Sequence, residues 1–386
     1  MPLLFLKSLG RFVALTWQLL LSPLRGRRAI GGTFILLLAL PFFLLLQLLH
    51  WLTFAIDEIL FRGYRKVEIR EPIFVLGPPR SGTTHLHHVL SADDESTTFR
   101  TWECLFGLSV TSRKIMLGLG ALDRIVGRPF GRLGSWIGRS WLSPMDEIHP
   151  ISLDDPEEDF LCLMPLATCF LLIVPFPRAA WLWKIARFDT DLDARDKGEL
   201  MAWYRACIQK HLYVFGPDKR FLSKNASFSG MADALLEEFP DARILFTTRD
   251  PLATVPSQLS SLQPALKLCG FPRFDNSLRN ELVDLLAYYY EHLGAVAESH
   301  PERVAMLYND DLRNKLADTV LNALATVGLN TSEQFRKSLQ QASAASQQHR
   351  SSHQYTLEEF GLNRQLIATR FERVYEQYQF GRADTK

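Results

Sequence analysis

Gly77-Pro78-Pro79-Arg80-Ser81-Gly82-Thr83-Thr84 constrains this chain more than any other segment. The short apolar run Pro72-Ile73-Phe74-Val75-Leu76 precedes it and reads as a buried strand. Residues 84–90 follow with a helical pattern, stopped by the polar run 91–96. A glycine-rich turn between a strand and a helix presents backbone N–H groups and a helix N-terminus, which together cradle phosphate. Against the pattern G-x-x-x-x-G-K-[ST], every fixed position is met except one, because Thr83 stands where a nucleoside-triphosphate enzyme has its lysine. That lysine serves β- and γ-phosphates, so its loss argues against a triphosphate. The cation has moved to Arg80, and the loop suits a nucleotide with a short 5′ substituent.

Further strands are expected at 243–248, at 303–308 and at 220–223, with a helix over 230–238 ahead of the first of these. Strands alternating with helices predict an α/β fold, a P-loop three-layer sandwich around a parallel sheet. The chain has 386 residues, 47% hydrophobic and 22% charged, which excludes intrinsic disorder. Its net charge of +1 lacks the basic excess of a nucleic-acid binder. The five cysteines form no CxxC pair, against both a disulfide scaffold and a structural zinc site. Buried thiols in a reducing compartment fit them better.

A second motif accompanies the loop. Arg249 ends the strand RILFTT, and Ser257 follows eight positions later in RDPLATVPS. An arginine at the C-terminal edge of a parallel strand faces the ligand crevice, and its planar fork binds phosphate bidentately. With both motifs in view, the chain resembles the sulfotransferases that use 3′-phosphoadenosine 5′-phosphosulfate (PAPS). The likeness is nearest to the branch containing tyrosylprotein sulfotransferases and bacterial relatives, and it covers residues 72–361. It implies that Arg80, Ser81, Gly82, Thr83 and Thr84 hold the 5′-phosphosulfate, while Arg249 and Ser257 hold the 3′-phosphate. It also implies Glu103 as the base and Lys224, with Arg80, as stabilisers of the transferring charge. No metal is demanded.

The segment around His149 and residues 154–159 is the densest acidic cluster. Its pattern reads as a helix start, with Asp155 as cap and Pro156 in the first turn. The resemblance adds His149 and Glu158 as substrate contacts. The chain departs from the family where Tyr308-Asn309-Asp310-Asp311-Leu312 replaces a Tyr-Glu-Asp-Leu stretch. Arg350, His353 and Tyr355 resemble a C-terminal segment that closes over the nucleotide.

The N-terminus is unlike the rest. No charged side chain lies between Arg28 and Asp57, and residues 34–49 are nearly all Leu and Phe. The run is long enough to cross about 30 Å of hydrocarbon as a helix. A shorter run, 12–24, lies between Lys7 and Arg11 on one side and Arg25, Arg27 and Arg28 on the other. One spanning helix and a hairpin dipping into one leaflet are both open readings. Residues 1–66 are thus expected to form membrane-associated helices and a charged neck (57–66). Residues 67–386 would form the sulfotransferase domain, with 104–190 as a helical, apolar insertion facing acceptor or membrane. Within it, 113–139 interleaves basic and apolar residues like an interfacial segment, and 160–176 reads as a buried or lipid-dipping helix.

The expected activity is sulfuryl transfer from PAPS to a hydroxyl of a hydrophobic or lipid-linked acceptor. A P-loop kinase and a non-catalytic membrane scaffold are the alternatives. The bilayer is the expected partner, with no nucleic acid. The expected site is the inner face of a cytoplasmic membrane, with a Golgi-like lumenal arrangement as the alternative.

Overall fold

The computed structural model describes residues 2–24, 26, 28–127, 153–346, 356–378 and 380. Two long helices open the chain, α1 (Pro2–Leu21) and α2 (Ile30–Leu60). The first β–α unit is β1 (Ile73–Leu76) followed by α3 (Thr83–Leu90). The short strand β2 (Ser96–Thr97) leads into α4 (Thr101–Phe106) and α5 (Val110–Ile125). After residue 152 come α6 (Ala180–Ala186), α7 (Phe188–Asp191) and the long α8 (Ala194–Phe215), then β3 (Arg220–Lys224) and α9 (Ala232–Glu238). Strand β4 (Arg243–Thr248) feeds α10 (Pro251–Leu268) and α11 (Asn276–Ser299), and β5 (Val304–Tyr308) feeds α12 (Asn309–Asn314) and α13 (Leu316–Thr326). The helix α14 (Glu333–Ser346) and two short turns of helix, α15 (Arg364–Arg370) and α16 (Glu372–Gln377), complete the described chain.

The five strands form one sheet in the order β2-β3-β1-β4-β5, and every pairing is parallel. Period-two alternation divides the core. Ile73 and Val75 of β1 join Leu245 and Leu307 under α3, α13 and α14 on one face. Phe74 and Leu76 join Ile244 and Phe246 under α8, α10 and α11 on the other. Each buried aromatic or branched side chain contributes about 2–3 kcal/mol by leaving water. Helices on both faces make the three-layer α/β sandwich that the sequence predicts. The two-residue β2, which begins at the last residue of the run read as a polar helix stop, is too short for any periodicity to announce.

Other expectations need correcting. Residues 154–158 do not start an α-helix. They run antiparallel to the chain before α4, with Pro156 bridged to Arg100, Glu157 N–H donating to Phe99 O and Thr101 N–H donating to Asp155 O. The uncharged stretch 160–176 is not one helix either. Two 3-10 segments, Asp159–Leu166 and Phe170–Ile173, are joined through Ala167 at φ 52°, as Pro165 cannot support a continuous α-helical ladder.

Residues 57–66 are not a free neck. The Asp57 carboxylate is buried, accepts from Val110 N, Thr111 N and Thr111 Oγ1 at the start of α5, and pairs with Lys210 Nζ of α8 at 2.7 Å. It caps another element's helix and neutralises a buried lysine at once. Along α2, Trp51 Nε1 donates to Pro165 O, and Gly32 lies so close to Gly270 that a Cβ would sit 2.3 Å from its backbone. Both ends of α2 are therefore fastened to the α/β body. Yet both α1 and α2 are long and apolar enough to cross a membrane, and their outer faces expose Leu6, Val13 and Trp17, and Phe34, Leu38 and Phe42. Arg113 leaves the expected interfacial basic face, being fully buried, whereas Ile115, Leu119 and Leu122 of α5 are exposed. Residues 128–152 lie outside the described part.

Candidate active site

The loop after β1 takes its shape from two glycines. Gly77 has φ 147°, and a Cβ there would lie 2.3 Å from Thr247 O; Gly82 has φ 100°, and a Cβ would lie 2.6 Å from Asn309 Nδ2. Neither position admits another residue without moving backbone or a locking side chain. Asn309 Nδ2 donates to Ser81 O at 3.0 Å, and Ser81 Oγ donates to Pro78 O at 2.6 Å while meeting Thr247 Oγ1 at 2.7 Å. The Ser81 side chain is buried and staples the loop; it does not line the cavity, a correction to its expected contact with the donor. Arg80 adopts φ 71°, a left-handed conformation that costs a non-glycine residue about 1–2 kcal/mol. That strain aims the guanidinium across the loop. The first acceptor of α3 is Gly82 O, reached by Leu86 N at 3.1 Å, which leaves the preceding N–H groups for an anion.

A cavity of about 950 Å³ opens over this loop. Arg80, Gly82, Thr83, Thr84, Arg249, Ser257, Asn309 and Arg313 supply its polar lining. Arg80 Nε donates to Ser257 Oγ at 3.1 Å, and Arg249 Nη1 donates to Arg80 O at 3.2 Å. The two motifs, 177 residues apart in sequence at their contact, thus meet in one place. They do so because β1 and β4 are neighbours and their C-terminal ends share an edge. Burial, then the neighbouring Arg313, pulls the Arg249 guanidinium below its ordinary value; Asp310 opposes this and Arg80 adds to it. Guanidinium does not deprotonate, so three such cations hold an unfavourable field that an anion relieves. Residues of this type, over open helix N–H groups, fit a bis-anionic nucleotide.

Lys224 ends β3 opposite Val75 of β1, and its Nζ donates to the Glu158 carboxylate. Glu158 lines the cavity beside the loop, with Lys224 nearly buried beneath it. Most of the remaining lining is apolar: Phe160, Phe170, Leu171, Ile173 and Val174 from the 3-10 segments, with Leu282, Leu285 and Leu286 from α11. Leu171 is also exposed to the outside, so the apolar wall reaches the surface.

Glu103 lies elsewhere. It is buried at 1% exposure, and its Oε1 accepts from Arg113 Nε and from His211 Nδ1, both at 2.8 Å. Oε2 accepts from Arg100 N, closing the first turn of α4. Burial pushes this carboxyl up, but His211 and Arg113 outweigh it and hold it below the ordinary range. Burial keeps His211 low despite the pull of Glu103. The ring is thus a neutral donor at Nδ1, with Nε2 accepting from Thr97 Oγ1 at 2.9 Å. All the oxygen lone pairs that face a neighbour are engaged, and no acceptor hydroxyl reaches them. The expected base is therefore a structural carboxylate: the family resemblance matched it to a glutamate after the loop helix, but α4 turns it into the core.

His149, Arg350, His353 and Tyr355 lie outside the described residues. Among the cavity residues that the sequence reading did not assign to the site are His85, Asn309 and Arg313. His85 directly follows the motif in the first turn of α3, so its position was the available signal. Asn309 and Arg313 lie on α12, which only the sheet order brings over the loop. Away from the cavity, Asp189, Asp233 and His292 bring ligand-type atoms within 4.8 Å of one another. Asp189 there accepts from Asp233 N and Ala234 N, so it caps α9.

The sequence profile of the sulfotransferase family matches residues 72–333, well over half of the chain. Among curated proteins, the omega-hydroxy-beta-dihydromenaquinone-9 sulfotransferases Stf3 of Mycobacterium bovis and Mycobacterium tuberculosis are each 26% identical over 325 residues, covering 81% of this chain and 76% of theirs. Among solved structures, sulfotransferase STF1 of Mycobacterium tuberculosis H37Rv superposes with a TM-score of 0.69 at 19% identity, over 95% of this chain and 91% of that one. STF9 of Mycobacterium avium follows at 0.64 and 17%, over 85% and 81%. The solved structures speak for the fold; the profile, spanning both anion-binding motifs, shows that this chain belongs to the sulfotransferase family.

Proposed function

We propose that this enzyme transfers a sulfuryl group from PAPS to the hydroxyl of a hydrophobic, lipid-linked acceptor at a membrane surface. The observation that carries the reading is one cavity in which a tri-arginine anion site adjoins an apolar wall that reaches the exterior. PAPS supplies an activated S–O bond when bound. The N–H groups at the start of α3, with Thr83, Thr84 and Arg80, hold its 5′ end, and Arg249, Ser257 and Arg313 hold the 3′-phosphate. Glu158 takes the acceptor proton as the acceptor oxygen bonds to sulfur. Lys224 and Arg80 stabilise charge as the bond to the 5′-phosphate breaks, a role worth several kcal/mol in such displacements. Lys224 and Arg80 keep the roles the resemblance gave them, and Glu158 replaces Glu103 as base.

The acceptor class is supported by the apolar wall and by what Stf3 acts on according to its name, a hydroxylated menaquinone. Attachment to one face of the membrane, without crossing, is supported by α2 being fastened at both ends to the same body. Buried free thiols at all five cysteines suit a catalytic domain on the cytosolic side.

Calorimetry with 3′-phosphoadenosine 5′-phosphate and with ATP tests the donor. Tight binding of the former, lost in Arg249→Ala, is expected, and preferential binding of ATP with Mg²⁺ overturns the donor. Lipid extracts incubated with labelled PAPS test the acceptor; label confined to water-soluble products overturns a lipid acceptor.

A further inference from the structure

A second cleft, of about 340 Å³, lies between the end of α1, the start of α2 and residues 176–178. Its floor is Arg28, a residue only 6% exposed. The guanidinium is fixed by its two terminal nitrogens: Nη1 donates to Cys269 O at 3.1 Å, and Nη2 donates to Pro175 O. It also lies over the Phe271 ring at 4.7 Å and faces Phe176 at 5.8 Å. These contacts seat it without neutralising it. Carbonyls at the end of α10 offer about half a negative charge. Among the described residues no carboxylate lies within ion-pair distance of it, and its buried Nε has no partner. A second cation, Arg178, stands at the rim and, among the described residues, pairs with the exposed Asp275 alone, at 4.0 Å. Asp275 is itself engaged in capping α11 through Leu278 N.

A buried, uncompensated guanidinium is costly unless an anion completes it. The surroundings say which anion. Trp17, Leu21, Phe176 and Phe271 line the same cleft. Trp17 is 63% exposed, in the outward stripe of α1 with Leu6 and Val13. An amphipathic indole beside arginines, on the edge of an apolar face, is the chemistry of the headgroup zone of a bilayer. We infer that this cleft binds the phosphate of an anionic glycerophospholipid, with Arg28 and Arg178 on the headgroup and the aromatic rim against the first acyl carbons. The inference rests on the membrane-surface reading above and not on the identity of donor or acceptor. It adds a lipid that docks the enzyme without being sulfated.

Flotation of the full chain with phosphatidylcholine vesicles, with and without phosphatidylglycerol, tests it. Binding is expected to favour the anionic vesicles, and Arg178→Gln to lower that preference about fivefold, the effect of one surface arginine on an anionic membrane. Arg28→Gln is expected to lose at least as much; if that variant fails to fold, Arg178→Gln carries the test alone. Short-chain phosphatidylglycerol is expected to raise the melting temperature of the wild type more than inorganic phosphate does. Equal protection by both overturns the lipid occupant in favour of a free anion. Equal binding to both vesicle types, or an unchanged preference in Arg178→Gln, overturns the site. Binding of 3′-phosphoadenosine 5′-phosphate stays unchanged in Arg178→Gln, so a failure here is distinguishable from a failure of the donor reading.

Discussion

Glu103 and Glu158 are both carboxylates paired to a buried cation, and they sit on adjoining chain segments, yet their surroundings differ in what they leave free, and the proposed base is the one that faces the cavity. Glu103 sits in the core between α4, α5 and α8, where Arg113, His211 and Arg100 N consume its oxygens. Glu158 sits at the end of the strand-like segment 154–158, with one oxygen on Lys224 and its side chain lining the cavity over the anion loop. The difference teaches that a carboxylate at a family-matching distance from a motif is not thereby in the site. What separates base from brace is whether an unengaged oxygen faces a space a substrate can enter.

Exchanging each glutamate for its amide breaks or sharpens this contrast. Glu158→Gln removes a proton acceptor and is expected to lower kcat by about 10²–10⁴, with a smaller stability loss than Glu103→Gln because the partly exposed Glu158 site lets water reach Lys224. Loss of folding with kcat per folded molecule intact would reverse the assignment. Glu103→Gln leaves Arg113 buried and unpaired, and is expected to cost about 3–5 kcal/mol in denaturant unfolding. The molecules that remain folded should keep a kcat near the wild type, and a defect confined to kcat would return Glu103 to the chemistry.

The anion side of the cavity is expected to respond less steeply. Arg313→Ala removes one charge-assisted contact and should weaken 3′-phosphoadenosine 5′-phosphate by about 10–100-fold, a loss of about 1.5–3 kcal/mol. It should leave the Glu158 and Glu103 effects untouched. An unchanged affinity would take Arg313 out of the anion site and leave Arg80 and Arg249 alone in it.

The anion loop was legible in the sequence because its glycines answer to local geometry: φ 147° and 100° are demands that eight consecutive residues can express. That the loop and the Arg249 motif lie at one place was legible for a related reason, since parallel strands bring their C-terminal ends to one edge, though the direct Arg80–Ser257 contact was not. Glu103 was misread because burial is a property of the whole packing, and a short helix such as α4 has no periodicity long enough to report its inward face. Asp57 failed in the same way: a charge after a long apolar run looks like the membrane boundary, whereas here it caps α5 and holds Lys210. Arg313 carries no local signal, and Asn309 shows only as a departure from the family's Tyr-Glu-Asp-Leu stretch, as the placement of β5 at the sheet edge is what brings α12 over the loop.

The smallest expected effect is also the one that isolates the brace. His211 is buried beside Glu103 with its pKa held below the ordinary value, so the unfolded chain binds a proton that the folded ring does not. Stability therefore falls as pH drops below about 6.5, by at most about 1.4 kcal/mol per pH unit for this one group. Glu103 works in the same direction further down. Its carboxyl is held below the ordinary range, so its contribution is complete above about 4.3 and is lost as pH falls through the lower folded value. Two separate acid steps in the melting temperature should result. His50 and His87 are held low by burial as well and add to the upper step, so His211→Gln should shrink that step without removing it and leave the lower one in place. If the upper step is undiminished by that substitution, the ring is not a neutral donor to Glu103, and the brace must be held by Arg113 and Arg100 N without it.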